Sequence, residues 1–121
     1  MATRKRASTA TARLPQISME SVGPYTLRVG YWPAEIASDK RPLLFFNGIG
    51  ANMELAFGLG EWIRDREIIT FDMPGVGESE PARFPYRPWM MARVARQLCE
   101  RFDMGDVDVM GVSWGGAMAQ Q

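Results

Sequence analysis

Val109-Met110-Gly111-Val112 is an apolar run that breaks at Ser113 and continues into Trp114-Gly115-Gly116-Ala117. The spacing is Gly-x-Ser-x-Gly, set between a run suited to a strand and small residues suited to a helix start. A serine at such a junction sits on a sharp turn, with its hydroxyl pushed out at the top of a sheet. Glycines two residues to either side let strand and helix pack closely without side-chain clash. The motif therefore demands a sheet with a helix folding back over it. It also names an atom, the Ser113 hydroxyl oxygen, that could attack an acyl carbon. A second serine, Ser79, lies in Gly77-Glu78-Ser79-Glu80-Pro81, a loop pattern that lacks the second glycine.

The remainder of the chain supplies such a sheet. Ser18–Val22 and Tyr25–Trp32 read as strands around a Gly23-Pro24 turn, with Tyr25, Leu27, Val29 and Tyr31 alternating against polar or small residues. Pro33–Arg41 is a polar turn. Pro42–Phe46 is continuously apolar, as a strand covered on both faces would be. Asn47-Gly48-Ile49-Gly50 breaks it, and Asn52 can cap a helix over Met53–Arg64. Leu55, Leu59, Trp62 and Ile63 make that helix's expected buried stripe, weakened by Gly58 and Gly60. Glu67–Phe71 is the next strand, followed by a turn-rich loop over Asp72–Ser79 that continues through Pro81 and Pro85.

A helix is predicted from Pro88, which suits a first helical position, to Phe102. Met91, Val94, Ala95, Leu98 and Phe102 fall on one face. Met104-Gly105-Asp106 ends it, Val107–Val112 is the last strand, and Gly115 opens another helix. The order β-β-β-α-β-α-β-α implies an α/β fold: a doubly wound, mostly parallel sheet with an antiparallel start. Loops after the parallel strands, Asn47–Asn52, Asp72–Ser79 and Ser113–Gly116, gather on the edge where such sheets bind ligands.

Composition narrows the function. The 121 residues make one domain at most and carry fourteen basic and fourteen acidic side chains. Arg4, Lys5, Arg6 and Arg13 lie in the first thirteen positions, with no acid among them. That stretch, residues 1–13, is expected to be a disordered basic tail, with the domain over 14–121. The more acidic body bears no nucleic-acid footprint. Cys99 is the only cysteine, so no internal disulfide is possible and a reducing, cytoplasmic compartment is expected. The tail lacks the apolar core of a secretory signal, and no stretch approaches the roughly 18 apolar residues of a membrane span. There is no histidine, so the chain lacks the base that a serine nucleophile ordinarily requires.

The other motifs sort around Ser113. The two glycines of Asn47-Gly48-Ile49-Gly50 let backbone approach a substrate and turn an N–H inward. Ile49 is the favoured donor there, and Trp114, the residue after the serine, would supply the second oxyanion-hole amide. Met53 and Met118, with Trp114, are close enough in sequence to these loops to line an apolar acyl pocket. Phosphate binding is excluded: Gly48-x-Gly50 and Gly75-x-Gly77 lack the third glycine, and no Gly-Lys-Ser/Thr follows. Asp72 lies upstream of Ser113 and is expected to organise a tight turn through its side chain. Cys99 is expected to pack in the core, with no histidine to activate it. No cofactor and no metal are expected.

With these residues in view, the chain resembles the α/β-hydrolase superfamily from about Arg13 onward. Arg41–Asn52, Phe71–Gly77 and Gly111–Ala117 look like intracellular poly(3-hydroxyalkanoate) depolymerases. Asn47 discriminates, because most α/β-hydrolases have His-Gly at that point. The resemblance implies a strand order of 1-2-4-3-5, a Ser113 nucleophile attacking ester bonds of a stored polyester, and action at the surface of polymer granules. It also implies that the acid, the histidine, a lid and three further strands lie beyond Gln121. The chain would then be the N-terminal half of the fold, unable to activate Ser113 by itself and with one edge of its last strand uncovered. Two alternatives stay open. One is other acyl chemistry on the same scaffold: a thioesterase, transacylase or small-ester hydrolase. The other is a non-catalytic protein that binds granules or a partner.

Overall fold

The computed structural model describes residues 14–47, 56–75, 79, 81, 87–111 and 119–121. Five strands form one sheet: β1 (Gln16–Val22), β2 (Tyr25–Trp32), β3 (Leu43–Phe46), β4 (Ile68–Phe71) and β5 (Asp108–Gly111). Two helices are described, α1 (Phe57–Trp62) and α2 (Pro88–Arg101). The sheet order is β1-β2-β4-β3-β5, the order implied by the resemblance. β1 and β2 form an antiparallel hairpin, β2 is antiparallel to β4, and β4, β3 and β5 are parallel. The tail at residues 1–13, the Asn52 cap and the start of the helix expected from Gly115 fall on residues outside those described, while Ala119 is helical.

The sheet's period of two divides the core. Leu27 and Val29 of β2, Leu44 and Phe46 of β3, and Ile69 and Phe71 of β4 face α2. They meet Met91, Val94, Ala95 and Leu98, the predicted face of that helix. The other sheet face places Trp32, Leu43, Phe45 and Ile68 together, with Ala56 and the partly buried Phe57 and Leu59 against them. β3 and β4 are buried along their whole length, as a strand covered on both sides must be. The starts of the parallel strands are tied by charge. Asp108 at the head of β5 receives Arg66 at 3.0 Å and Arg41 at 3.5 Å, residues that precede β4 and β3. β5 ends the described sheet, and Val109 and Met110 are exposed along it.

Three expectations are corrected. β1 starts at Gln16, two residues before the expected Ser18, because its pairing with β2 extends to Tyr31. α1 is shorter than Met53–Arg64: Ile63 turns to extended backbone and closes it. Trp62 is not buried but 87% exposed. Gly60 takes the buried position instead and seats against the Trp32 indole, and Trp62 lies two residues, about 200°, around the helix from it. α2 ends at Arg101 with Phe102 as its cap, within a residue of the expected end. Asp103 takes a left-handed φ of 58°, while the Asp103 and Met104 amides donate to the Glu100 and Cys99 carbonyls at 3.0 and 2.9 Å. That is a Schellman termination with aspartate in the place usually held by glycine.

Candidate active site

The site must be built from the ends of β3, β4 and β5, because Ile49, Met53, Ser113, Trp114 and Met118 all lie outside the described residues. The register fixes where their segments start. Phe46 is opposite Gly111, so β3 and β5 end side by side at one level. Phe45 is opposite Thr70, which brings Phe71 to that level too. Neighbouring strands are about 4.8 Å apart. The strands that precede Ile49 and Ser113 in the sequence therefore end beside each other at equal height. Asn47, the first residue past β3, is buried. The Thr70 hydroxyl donates to the Phe45 carbonyl at 2.7 Å and ties β4 to β3 just below this edge.

The end of β4 is built differently. The Asp72 amide donates to the Arg28 carbonyl at 3.0 Å, continuing the ladder to β2. The reciprocal bond is replaced by a side chain. The Arg28 amide donates to Ser79 Oγ at 2.8 Å, and the Ser79 hydroxyl donates to the Asp72 carbonyl at 2.7 Å. A buried hydroxyl thus wedges open the last rung and pins the following loop to the sheet. Asp72 is fully buried, with Oδ2 3.7 Å from the Arg28 guanidinium. It faces β2, two strands from β5 in the sheet order. A side-chain-to-backbone bond of the kind expected from Asp72 is supplied at this turn by Ser79. Nothing in the sequence near Ser79 signals the role, because its donor is 51 residues away.

Cys99 is buried in the second half of α2, toward the edge opposite the strand ends. Burial, with Glu100 adding to it, pushes its thiol up to about 11, so it is held as an inert thiol at neutral pH. Among the described residues, no three His, Cys, Asp or Glu side chains gather into a group that could hold a metal ion. No helix among them is long and apolar enough to cross a membrane.

Comparison with known proteins places this architecture. A family profile described as the alpha/beta hydrolase fold matches residues 41–121. The chain belongs to the alpha/beta hydrolase family. The match includes β3, β4, β5 and both helices, and the sheet order and crossovers agree with it. A curated relative, the poly(3-hydroxyalkanoate) depolymerase of Ectopseudomonas oleovorans, is 53% identical over 81 residues. That alignment takes in 66% of this chain and 29% of the relative, so the chain spans less than a third of the relative's length.

Solved structures agree on the fold of this alpha/beta hydrolase. The proline iminopeptidase of Mycobacterium smegmatis superposes with a TM-score of 0.74 at 21% identity, over 85% of this chain and 37% of that one. The Cif epoxide hydrolase of Acinetobacter nosocomialis gives 0.72 at 15% identity, over 98% and 41%. The names of these two neighbours point to different chemistries, so the fold alone does not choose the reaction.

Proposed function

We propose that the protein carrying this chain is a serine ester hydrolase that degrades poly(3-hydroxyalkanoate) through an acyl-enzyme. The observation that carries the proposal is the register of β3 and β5. It ends the two strands that precede Asn47–Asn52 and Ser113 in the sequence side by side at one level. The depolymerase relative supports the choice of substrate.

In this reading Ser113 Oγ attacks the ester carbonyl carbon and gives its proton to a base. The carbonyl oxygen becomes an oxyanion, held by the Ile49 and Trp114 amides. Collapse expels the hydroxyl end of the remaining polymer, which takes the proton, and water then cleaves the acyl-serine. Two preorganised amides are worth several kcal/mol at this step. Met53 and Met118 line the acyl pocket. The chain has no histidine, so the base and its acid partner come from outside these 121 residues. The enzyme is cytoplasmic and works at the granule surface.

The test is to express the complete reading frame and assay release of 3-hydroxy acids from polymer granules beside a panel of soluble esters and thioesters. The proposal predicts release from polymer and its loss in Ser113→Ala. Turnover of thioesters alone would reassign the chemistry. Polymer release that survives Ser113→Ala would sink the mechanism.

A further inference from the structure

A second feature stands at the same edge, on the side away from β5. Val29 of β2 pairs with Phe71, the last residue of β4. Tyr25 lies four residues further along β2. At about 3.3 Å per residue, Tyr25 stands roughly 13 Å beyond the end of β4, with the Gly23-Pro24 tip of the β1–β2 hairpin further out. α2 runs the opposite way. Phe102, just past its C-terminus, meets the Tyr31 ring at 5.3 Å near the far edge, so its first turn, with Trp89 and Met90, lies beside the hairpin tip.

Between tip and helix runs a groove of about 270 Å³. Its walls are mainly Pro24, Tyr25, Trp89 and Met90, with Arg93 and Gln97 beside them, and no carboxylate stands among the described lining residues. Trp89 is 49% exposed, a large apolar ring left half in solvent. Arg93 and Gln97 are exposed on the helix beside it.

We propose that this groove is an accessory binding site for the polyester chain, seating a stretch of polymer at a distance from the ester being cut. The proposal rests on the depolymerase reading above. Along its length, a poly(3-hydroxyalkanoate) presents alkyl groups and ester oxygens: apolar surface and hydrogen-bond acceptors, with donors and charge only at its ends. A matching groove needs apolar walls and donors, and it must lack carboxylates, which offer only acceptors. Trp89 and Met90 supply the apolar surface, and the Arg93 guanidinium and the Gln97 amide supply the donors. The groove shares its edge of the sheet with the end of β5 at Gly111, two residues before Ser113 in the sequence, so one extended chain can reach both.

The test uses the full-length enzyme with Trp89→Ala, Arg93→Ala and, as a control, Trp62→Ala. Trp62 is also an exposed tryptophan, but it lies at the C-terminal end of α1, near the opposite edge of the sheet. Binding is read by co-sedimentation with amorphous poly(3-hydroxyoctanoate) particles, and catalysis by acid release from those particles and by turnover of p-nitrophenyl octanoate. Trp89→Ala and Arg93→Ala should each weaken particle binding and polymer turnover roughly tenfold. Turnover of the soluble ester should hold, and Trp62→Ala should behave as wild type. Arg93→Ala, an exposed change, keeps the test open if Trp89→Ala fails to fold. Unchanged polymer binding in both groove variants overturns the proposal, as does an equal loss in Trp62→Ala or a parallel loss on the soluble ester. A wild-type enzyme that cleaves the soluble ester but leaves polymer intact instead refutes the depolymerase reading, and the groove's role falls with it.

Discussion

Replacing Gly60 with alanine adds one methyl group where the structure has no room for it. A Cβ there would lie 2.7 Å from Cδ1 and 2.8 Å from Cε2 of Trp32, and closer still to Nε1. Carbon atoms rest at about 3.5–4.0 Å, so the indole or the helix must move by roughly 1 Å. The indole has little freedom: Trp32 is fully buried and packs edge-on against Phe57, ring centroids 6.0 Å apart. Overpacking of this kind costs about 1–3 kcal/mol. Alanine also gains up to about 1 kcal/mol over glycine in a helix, which partly masks the clash. Gly58 provides the correction. It lies in the same six-residue helix, and an added Cβ would meet nothing within 4 Å. Gly58→Ala should therefore stabilise by up to about 1 kcal/mol. The gap between the two variants isolates the overpacking, about 1–3 kcal/mol. Urea unfolding followed by circular dichroism measures both, and Trp32→Phe in the Gly60→Ala background should recover part of the loss. Equal stability of Gly58→Ala and Gly60→Ala would refute the close seating of α1 on Trp32.

Three further outcomes follow from the packing. Ser79→Ala should cost about 1–3 kcal/mol, because it strips the Arg28 amide and the Asp72 carbonyl of a shared buried partner. Faster hydrogen exchange at the Arg28 amide checks it, and unchanged exchange counts against the wedge. Asp103→Gly should stabilise by about 0.5–1 kcal/mol by removing the cost of a left-handed φ of 58°, and a lower urea midpoint would contradict the termination described. The Cys99 thiol, raised by burial from 9.0 to about 11, favours the protonated form in the fold. Its contribution is fully present below about pH 9 and is lost as pH rises towards about 11. The free energy of unfolding should fall less steeply across that window for Cys99→Ala, and identical slopes would count against it.

What the sequence could and could not disclose follows from the range of the forces involved. β2 runs from Tyr25 to Trp32 as its alternation predicts, because burial on one face is written locally. α2 is legible to within a residue for the same reason, helped by Pro88 at its start. β3 begins one residue after Pro42, which has no N–H to give a ladder. α1 was misread because its most tightly buried position is Gly60, and a residue with no side chain is invisible to hydrophobic periodicity. The apparent stripe through Trp62 filled the gap. The Ser79 wedge was not legible, since it depends on the register that brings β2 beside β4. Likewise, only the sheet order makes β3 and β5 neighbours and so brings Asn47 and Gly111, distant in sequence, to one edge.

That juxtaposition has its most direct test at one atom. The full-length protein should be treated with a fluorophosphonate, digested, and the adduct mapped by mass spectrometry, with polymer hydrolysis measured alongside. The account predicts a single adduct on Ser113 that abolishes acid release, and no adduct with Ser113→Ala. Labelling at another residue, or polymer hydrolysis that survives full modification of Ser113, would contradict it.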